Sequence, residues 1–219
     1  SDNRTATYTS GDNSTALVFR YTIQAEETDS NGISIRANAL DNNSSTIRDR
    51  ASNIATDLTH SAVSHNDDYI VDTTPPTVSS VAITSATDKQ YSLVNATDVV
   101  SVTATFSETP ISAVIVDNPS AATLTLKVGN EDNRTAIYNR GSSIVVSSGS
   151  DNASLVFSYI IQATNTSGEN DSDGISIVAN ALNSDIITIR DAAGNIATDL
   201  THDAVPDNSS VKVDTIPPA

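Results

Sequence analysis

The sequence predicts an all-β protein built from repeated β-sandwich units, the first of which is incomplete. Apolar residues alternate with polar ones along many short segments, which is the period of a half-buried strand. Thr, Ser, Asn and Val dominate, only 37% of the residues are hydrophobic, and Trp, Met and Cys are absent. β-Branched side chains pack well on a pleated sheet, and good helix formers are scarce. The third observation is an internal duplication that covers most of the chain.

The duplication sets the organisation of the chain. Residues 32–76 return as residues 174–218, where 45 positions align without a gap and 29 are identical. The upstream motifs NRTATY and LVFRYTIQA return as NRTAIY and LVFSYIIQA. The offset between the copies grows along the chain, so the second copy carries insertions, which are expected in surface loops. Self-similarity of this kind is typical of arrays of like units.

Period-two alternation predicts about eight short strands in the complete unit. They contain Val81 and Ile83; Val100, Val102, Ala104 and Phe106; Leu124, Leu126 and Val128; Ala136 and Tyr138; Leu155, Phe157, Tyr159 and Ile161; Ile175 and Ile177; Ile187 and Ile189; and Val211 and Val213. No helix is expected beyond a turn near the sequence ANAL.

The motifs VDTTPPT and VDTIPPA close the two copies, because a pair of prolines cannot donate ladder hydrogen bonds and stiffens the chain. We therefore predict a domain of residues 77–219, a complete unit with a Pro-Pro linker at its end. Residues 1–76 would form only the C-terminal part of another unit. A Pro-rich bend inside one domain is the alternative.

The first domain lacks counterparts of the strands near Val81, Val100 and Leu124. An isolated partial sandwich would expose apolar faces and open strand edges, which are templates for pairing with another segment. The missing strands come either from adjacent repeats of the same chain or from a neighbouring copy. The second case would give a head-to-tail fibre, since contacts that do not close on themselves generate filaments.

Three segments, VDTTPPTVSSVAIT, VSVTATFSE and IRDAAGNIAT, resemble the tandem immunoglobulin-like repeats of giant prokaryotic surface proteins. That group includes large adhesins and the repeats of cyanobacterial swimming proteins. In the first copy the turn DAAGN reads DRASN, so Arg50 and Ser52 depart from the pattern. The resemblance implies tandem immunoglobulin-like β-sandwich repeats at the cell surface. Such repeats serve as stalks, spacers and fibres, so the resemblance implies a mechanical role.

Charge narrows the choice of partners. Eleven basic residues against 27 acidic ones give a net charge of −16, which argues against nucleic acid or an anionic membrane as partner. The absence of cysteine excludes disulfides and thiol catalysis. An acidic chain attracts cations, and calcium prefers oxygen ligands.

Two loops place oxygen side chains at alternate positions before a glycine, the opening spacing of a calcium loop. They comprise Glu27, Asp29 and Asn31 in the first copy and Glu169, Asp171 and Asp173 in the second. A glutamate stands first, and Asn38 or Asn180 takes the twelfth place, so an EF-hand is excluded and a looser calcium loop is predicted. The alternative is an acidic turn without an ion, since Asp, Asn and Gly favour turns.

A second predicted calcium site lies at the junctions between units. Asp72 and Asp214 precede the proline pairs, and Glu108, Asp191 and Asn195 lie in turns after predicted strands. In the repeats that the chain resembles, calcium commonly stiffens such junctions through carboxylates. A divalent cation would convert repulsion between clustered carboxylates into a cross-link.

Ten Asn-x-Ser/Thr sequons are candidate glycosylation sites, and glycans there would shield a fibre. They start at Asn3, Asn13, Asn42, Asn43, Asn95, Asn133, Asn152, Asn165, Asn170 and Asn208. Chance composition is the alternative explanation.

No arrangement of catalytic roles is visible in the sequence. His60 and His202 occupy matching positions in DLTHSAV and DLTHDAV, but neither a nucleophile elbow nor a metalloprotease spacing is present. We therefore predict a non-enzymatic, extracellular structural module of an adhesin stalk or filament. The alternative is a glycan-binding or ice-binding module, for which Tyr69 and Tyr91 are the aromatic side chains with the weakest core pattern.

Overall fold

A computed structural model describes residues 3–85, 92–107, 115–116, 122–129, 132–138, 154–162, 169–183 and 188–216. In these ranges the protein is all-β, as predicted. The chain divides into two compact units, Ser1–Thr74 and Pro75–Ala219. The part of the chain described contains no helix with the length and apolar character that crossing a membrane requires.

The first unit contains two separate two-stranded antiparallel sheets. Its strands are β1 (Thr7–Ser10), β2 (Val18–Arg20), β3 (Ile33–Ile35) and β4 (Val63–Asn66). β1 pairs with β2, and β3 pairs with β4.

The second unit is built around a six-stranded sheet. Its strands are β5 (Val78–Ile83), β6 (Leu93–Val94), β7 (Val99–Phe106), β8 (Ile115–Val116), β9 (Thr123–Val128), β10 (Asp132–Tyr138), β11 (Ser154–Ile160), β12 (Asn170–Asp171), β13 (Ser176–Asn183), β14 (Ile189–Arg190) and β15 (Lys212–Asp214). The large sheet has the order β13-β9-β10-β11-β7-β5. A three-stranded sheet, β12-β15-β6, and the pair β14-β8 complete the unit.

The core of the second unit follows from strand alternation. Along β7 and β9 every second side chain is buried, including Val100, Val102, Leu124 and Leu126 at 0% exposure. The same apolar cluster includes Val94, Val211 and Val213 from the region of the three-stranded sheet. Apolar side chains of both sheets thus share one interior, an arrangement consistent with a β-sandwich.

The predicted strands fall on observed ones, although Ile161, Ile175 and Val211 lie one residue beyond their ends. Ile187 lies outside the described residues. The prediction of a turn near ANAL was wrong for the second copy, where these residues belong to β13. β13 shifts register between Ile177 and Leu182, and Asn180 has φ 56° at this irregularity. Sequence analysis also missed the short strands β6, β8 and β12. β6 pairs in parallel with β15, and a two-residue strand shows no alternation.

Candidate functional site

The most distinctive surface of the molecule is the apolar face of the first unit. Within residues 3–74, all of which are described, Gly32 is the only buried residue. Five apolar side chains of this unit have an identical residue at the equivalent position of the second unit. Leu17, Phe19, Ile23, Ile33 and Ile35 are 38–48% exposed, whereas Leu155, Phe157, Ile161, Ile175 and Ile177 are 0–3% exposed. Identical residues at equivalent positions are therefore buried in the second unit and exposed in the first.

The difference is specific to side chains that face the core. Ile54 and its equivalent Ile196 are 49% and 44% exposed, so this position faces outward in both units. The exposed set of the first unit is thus the face that the second unit turns inward. We call this set, Leu17, Phe19, Ile23, Ile33 and Ile35, the open face.

In the second unit the equivalent face is covered by the described strands of residues 75–129, a range that we call the donor segment. Its strands β7 and β9 place buried apolar side chains in the shared core. β7 pairs with β11 from Ile160↔Val99 to Ser154↔Thr105. β9 lies between β10 and β13, and pairs with both. The first unit has no equivalent of this segment, so its two small sheets remain separate.

Loss of these partners shortens the strands of the first unit. β11 has seven residues and β13 has eight, whereas the equivalent strands β2 and β3 have three each. Residues 3–6 are not in a strand, although their equivalents 133–136 belong to β10 through pairing with β9. A strand needs a partner ladder, and the open edges that remain are sites for further pairing.

The first acidic residue of each predicted calcium loop is the centre of a hydrogen-bond cluster. The Glu169 carboxylate is buried, pairs with the Arg134 guanidinium, and accepts the Tyr159 hydroxyl at 2.5 Å and the Gln162 N–H at 2.8 Å. Burial, together with the hydrogen bond to the carboxylate, raises the pKa of Tyr159 to about 12. These bonds join β10, β11 and the start of β12.

The first unit repeats this cluster without the cover. Glu27 pairs with Arg4 and accepts the Tyr21 hydroxyl at 2.5 Å and the Gln24 N–H at 2.7 Å. The donated Tyr21 hydroxyl and the Gln24 N–H lower the pKa of Glu27 from 4.5 to about 2. Sequence analysis missed the cluster as a unit, although the recurrence of Arg, Tyr, Gln and Glu in both copies was a signal for it.

Asp171 links the second acidic loop to the donor segment by hydrogen bonds. Its Oδ2 accepts the Gly129 N–H at 2.8 Å, and its Oδ1 accepts the N–H groups of Asp173 at 3.2 Å and Gly174 at 2.7 Å. Gly174 has φ 110°, and a Cβ there would lie 2.0 Å from the Asn208 carbonyl oxygen. The loop therefore requires glycine for both conformation and space.

The remaining predicted calcium ligands cap turns. Asp29 accepts the Asn31 N–H at 3.3 Å, and Asp72 and Asp214 each accept the N–H two residues further on. Asp191 is buried and accepts both the main-chain and side-chain N–H groups of Asn195 at 2.8 and 2.7 Å. Asp173 is exposed, and Glu108 lies outside the described residues. Among the residues that can be described, no three His, Cys, Asp or Glu side chains form a group that could hold a metal ion.

The two matching histidines are structural in both units. His202 Nε2 accepts the Ala181 N–H at 2.8 Å, and its Nδ1 lies 2.8 Å from the Asp203 carbonyl oxygen. His60 repeats the pattern with the Ala39 N–H at 2.9 Å. A carbonyl can only accept, so the geometry assigns the proton to Nδ1 and leaves Nε2 as the acceptor.

The predicted sequons lie on the surface where they are described. The asparagines at 3, 13, 43, 95, 133 and 170 are exposed, and those at 42 and 208 are half-buried. Asn208 and Asn170 accept main-chain N–H groups at 3.0 and 3.1 Å. Asn152 and Asn165 lie outside the described residues.

Comparisons with models of known protein families, with curated protein sequences and with solved structures found no match.

Proposed function

We propose that the protein is a non-enzymatic structural module of an extracellular stalk or fibre, built from tandem immunoglobulin-like β-sandwich repeats. Neighbouring repeats are completed by strand complementation, either along the chain or between subunits arranged head to tail. The load is carried by antiparallel ladders such as β7–β11 and β9–β10. The role is mechanical and involves no chemistry on a substrate.

The observation that carries the proposal is the open face. Equivalent side chains change from 38–48% exposed in the first unit to 0–3% in the second, where the donor segment covers them. Exposed apolar side chains whose equivalents are buried in the second unit mark an interaction site. A unit that is stable only when its neighbour supplies strands couples folding to assembly, which suits a fibre or a stalk.

Calcium stiffening is a separate part of the proposal. Its support is the net charge of −16, since an acidic chain attracts cations and calcium prefers oxygen ligands. Bound calcium would stabilise the folded state by mass action. We expect the melting temperature to rise with millimolar calcium and to fall with a chelator. Asp214→Asn would reduce the rise, and magnesium at equal ionic strength is the control.

Electron microscopy of the purified protein and of concatenated repeats tests the mechanical role. We expect extended threads whose length grows in proportion to the number of repeats. Small-angle scattering should give a maximum dimension that grows in the same way. Globular particles whose diameter grows only with the cube root of mass would refute the proposal.

A glycan-binding or ice-binding module is the second candidate, favoured by Tyr69, which is 63% exposed. Aromatic side chains are common platforms for sugar rings. A groove of about 560 Å³ beside β5, lined by Val78, Val81, Asn180, His202 and other residues, has no Phe, Tyr or Trp side chain in its lining. Loss of polysaccharide binding in Tyr69→Ala would favour this candidate, and Tyr91 lies outside the described residues.

A further inference from the structure

We infer that the open face is the binding site for a second donor segment, of the kind formed by residues 75–129, carried on the same polypeptide. This inference rests on the proposed function and names the partner of the first unit. The occupant is a stretch of alternating strands whose buried residues are Val, Leu, Ala and Phe, as in β7 and β9.

The count of strands within residues 1–219 argues against donor exchange with a second copy of them. Residues 1–219 include two halves that need a donor, residues 3–74 and residues 132–216, and one donor segment, which the second unit already uses. If two copies exchanged their donor segments, each chain would still hold one uncovered half. Exchange between copies of these residues therefore gains no strand pairing.

The second unit fixes where the donor strands would lie. A strand like β7 would pair with the free edge of β2, because β7 pairs with the equivalent strand β11. A strand like β9 would enter between β1 and β3, since β9 lies between β10 and β13. A short strand like β6 would run parallel to the chain at Val71, the equivalent of Val213 in β15. The strand like β9 would thereby join the two small sheets of the first unit into one, as β9 joins β10 and β13 in the second.

The chain path favours a donor on the same polypeptide. In the second unit β9 leads directly into β10, with Val128 opposite Asp132. Asn133 is equivalent to Asn3, so a donor strand joined at residue 1 would reach the same register through an equally short connection. A tethered segment also acts at a high effective concentration, which favours insertion of a strand between two existing edges.

The test is a fusion that places a copy of residues 75–130 directly before Ser1 of residues 1–219. Peptide-resolved hydrogen exchange compares the fusion with the unfused protein. We expect amides of residues 17–23 and 33–35 to exchange at least about 100-fold more slowly in the fusion, because a buried sheet exchanges only on opening. Peptides of the second unit should be unchanged.

The matched control fusion carries Leu→Asp at the donor copy's equivalents of Leu124 and Leu126, and it should leave the first unit unprotected. A fusion with a Gly/Ser linker before Ser1 guards against strain at the joint. Fast exchange of the first unit in both wild-type fusions would overturn the inference. So would protection of the first unit in the unfused monomer, or protection by a free polypeptide of residues 75–130 but not by the fusions. None of these results would change whether concatenated repeats form extended threads, so the inference and the proposed function can fail separately.

Discussion

Two equivalent phenylalanines test how far the donor segment determines stability. Phe157 is fully buried, and its ring lies 6.0 Å from the Tyr138 ring at 64°. Phe19 makes the same contact with Tyr8 at 5.9 Å and 68° but stays 38% exposed. Burying about 160 Å² of Phe surface at about 25 cal/mol/Å² contributes about 4 kcal/mol. We expect Phe157→Ala to cost about 4 kcal/mol, within the range of measured Phe→Ala changes in cores.

The same coefficient gives at most about 2.5 kcal/mol for Phe19→Ala, since part of its ring remains in water. Urea unfolding followed by hydrogen exchange of peptides from each unit measures both losses. With a slope of about 2 kcal/mol/M, Phe157→Ala should lower the midpoint of the second unit by about 2 M. Phe19→Ala should leave that midpoint unchanged. Equal losses at the two positions would refute the reasoning, because they would mean that the first unit has a closed core of its own.

Three further predictions concern local features. Gly194→Ala should lower the melting temperature of the second unit by about 3 °C, because Gly194 has φ 93° and its Cβ would meet no atom within 4 Å, which leaves about 1 kcal/mol of backbone strain. Asp171→Asn should cost about 1–3 kcal/mol in urea unfolding, since its carboxylate accepts three main-chain N–H groups, and the matched Asp29→Asn should cost less. Tyr21→Phe should raise the pKa of Glu27 from about 2 toward 4.5 in a carboxyl NMR titration. The stability that Glu27 contributes above pH 4.5, and loses as the pH falls toward 2, should shrink accordingly.

The long strands could be predicted from the sequence because each has one solvent-exposed face and one buried face. Val100, Val102, Ala104 and Phe106 alternate with polar residues, and the structure buries all four. The short strands could not be predicted in this way. β6 and β12 have two residues each, and their place depends on pairing with β15, far along the chain. Tertiary contacts, rather than local pattern, specify such strands.

The acidic residues show a different limit of sequence analysis. An Asp three residues before a glycine has the same spacing whether its oxygens face a cation or main-chain N–H groups. Asp171 uses both oxygens to accept N–H groups, one of them from Gly129 in the donor segment. Asp191 likewise holds Asn195. Only the fold reveals these partners, since Gly129 lies 42 residues away in sequence.

Comparison of the two copies in sequence predicts one local difference between their turns. The turn DAAGN of the second copy has Gly194 at φ 93°, and the first copy has Ser52 there at φ 71°. A non-glycine residue in the left-handed region costs about 1–2 kcal/mol. The first copy nevertheless keeps the same turn, with Asn53 donating its side-chain N–H to Asp49 at 2.8 Å. The hydrogen bonds of the turn therefore outweigh the strain of its serine.

Local polar clusters set the shape of a unit, whereas donor strands supply most of its stability. The first unit keeps the clusters around Glu27, His60 and Asp49 with nearly the same distances as the second unit, although its apolar face is uncovered. Those hydrogen bonds span turns and neighbouring strands, so they set the shape of the first unit although it has no closed core. The core area, and with it the bulk of the free energy, comes with the donor segment, because hydrophobic burial dominates folding. Strand complementation requires a unit whose strand edges are already positioned but whose stability is low. The incoming strands can then pair with those edges and supply the missing stability.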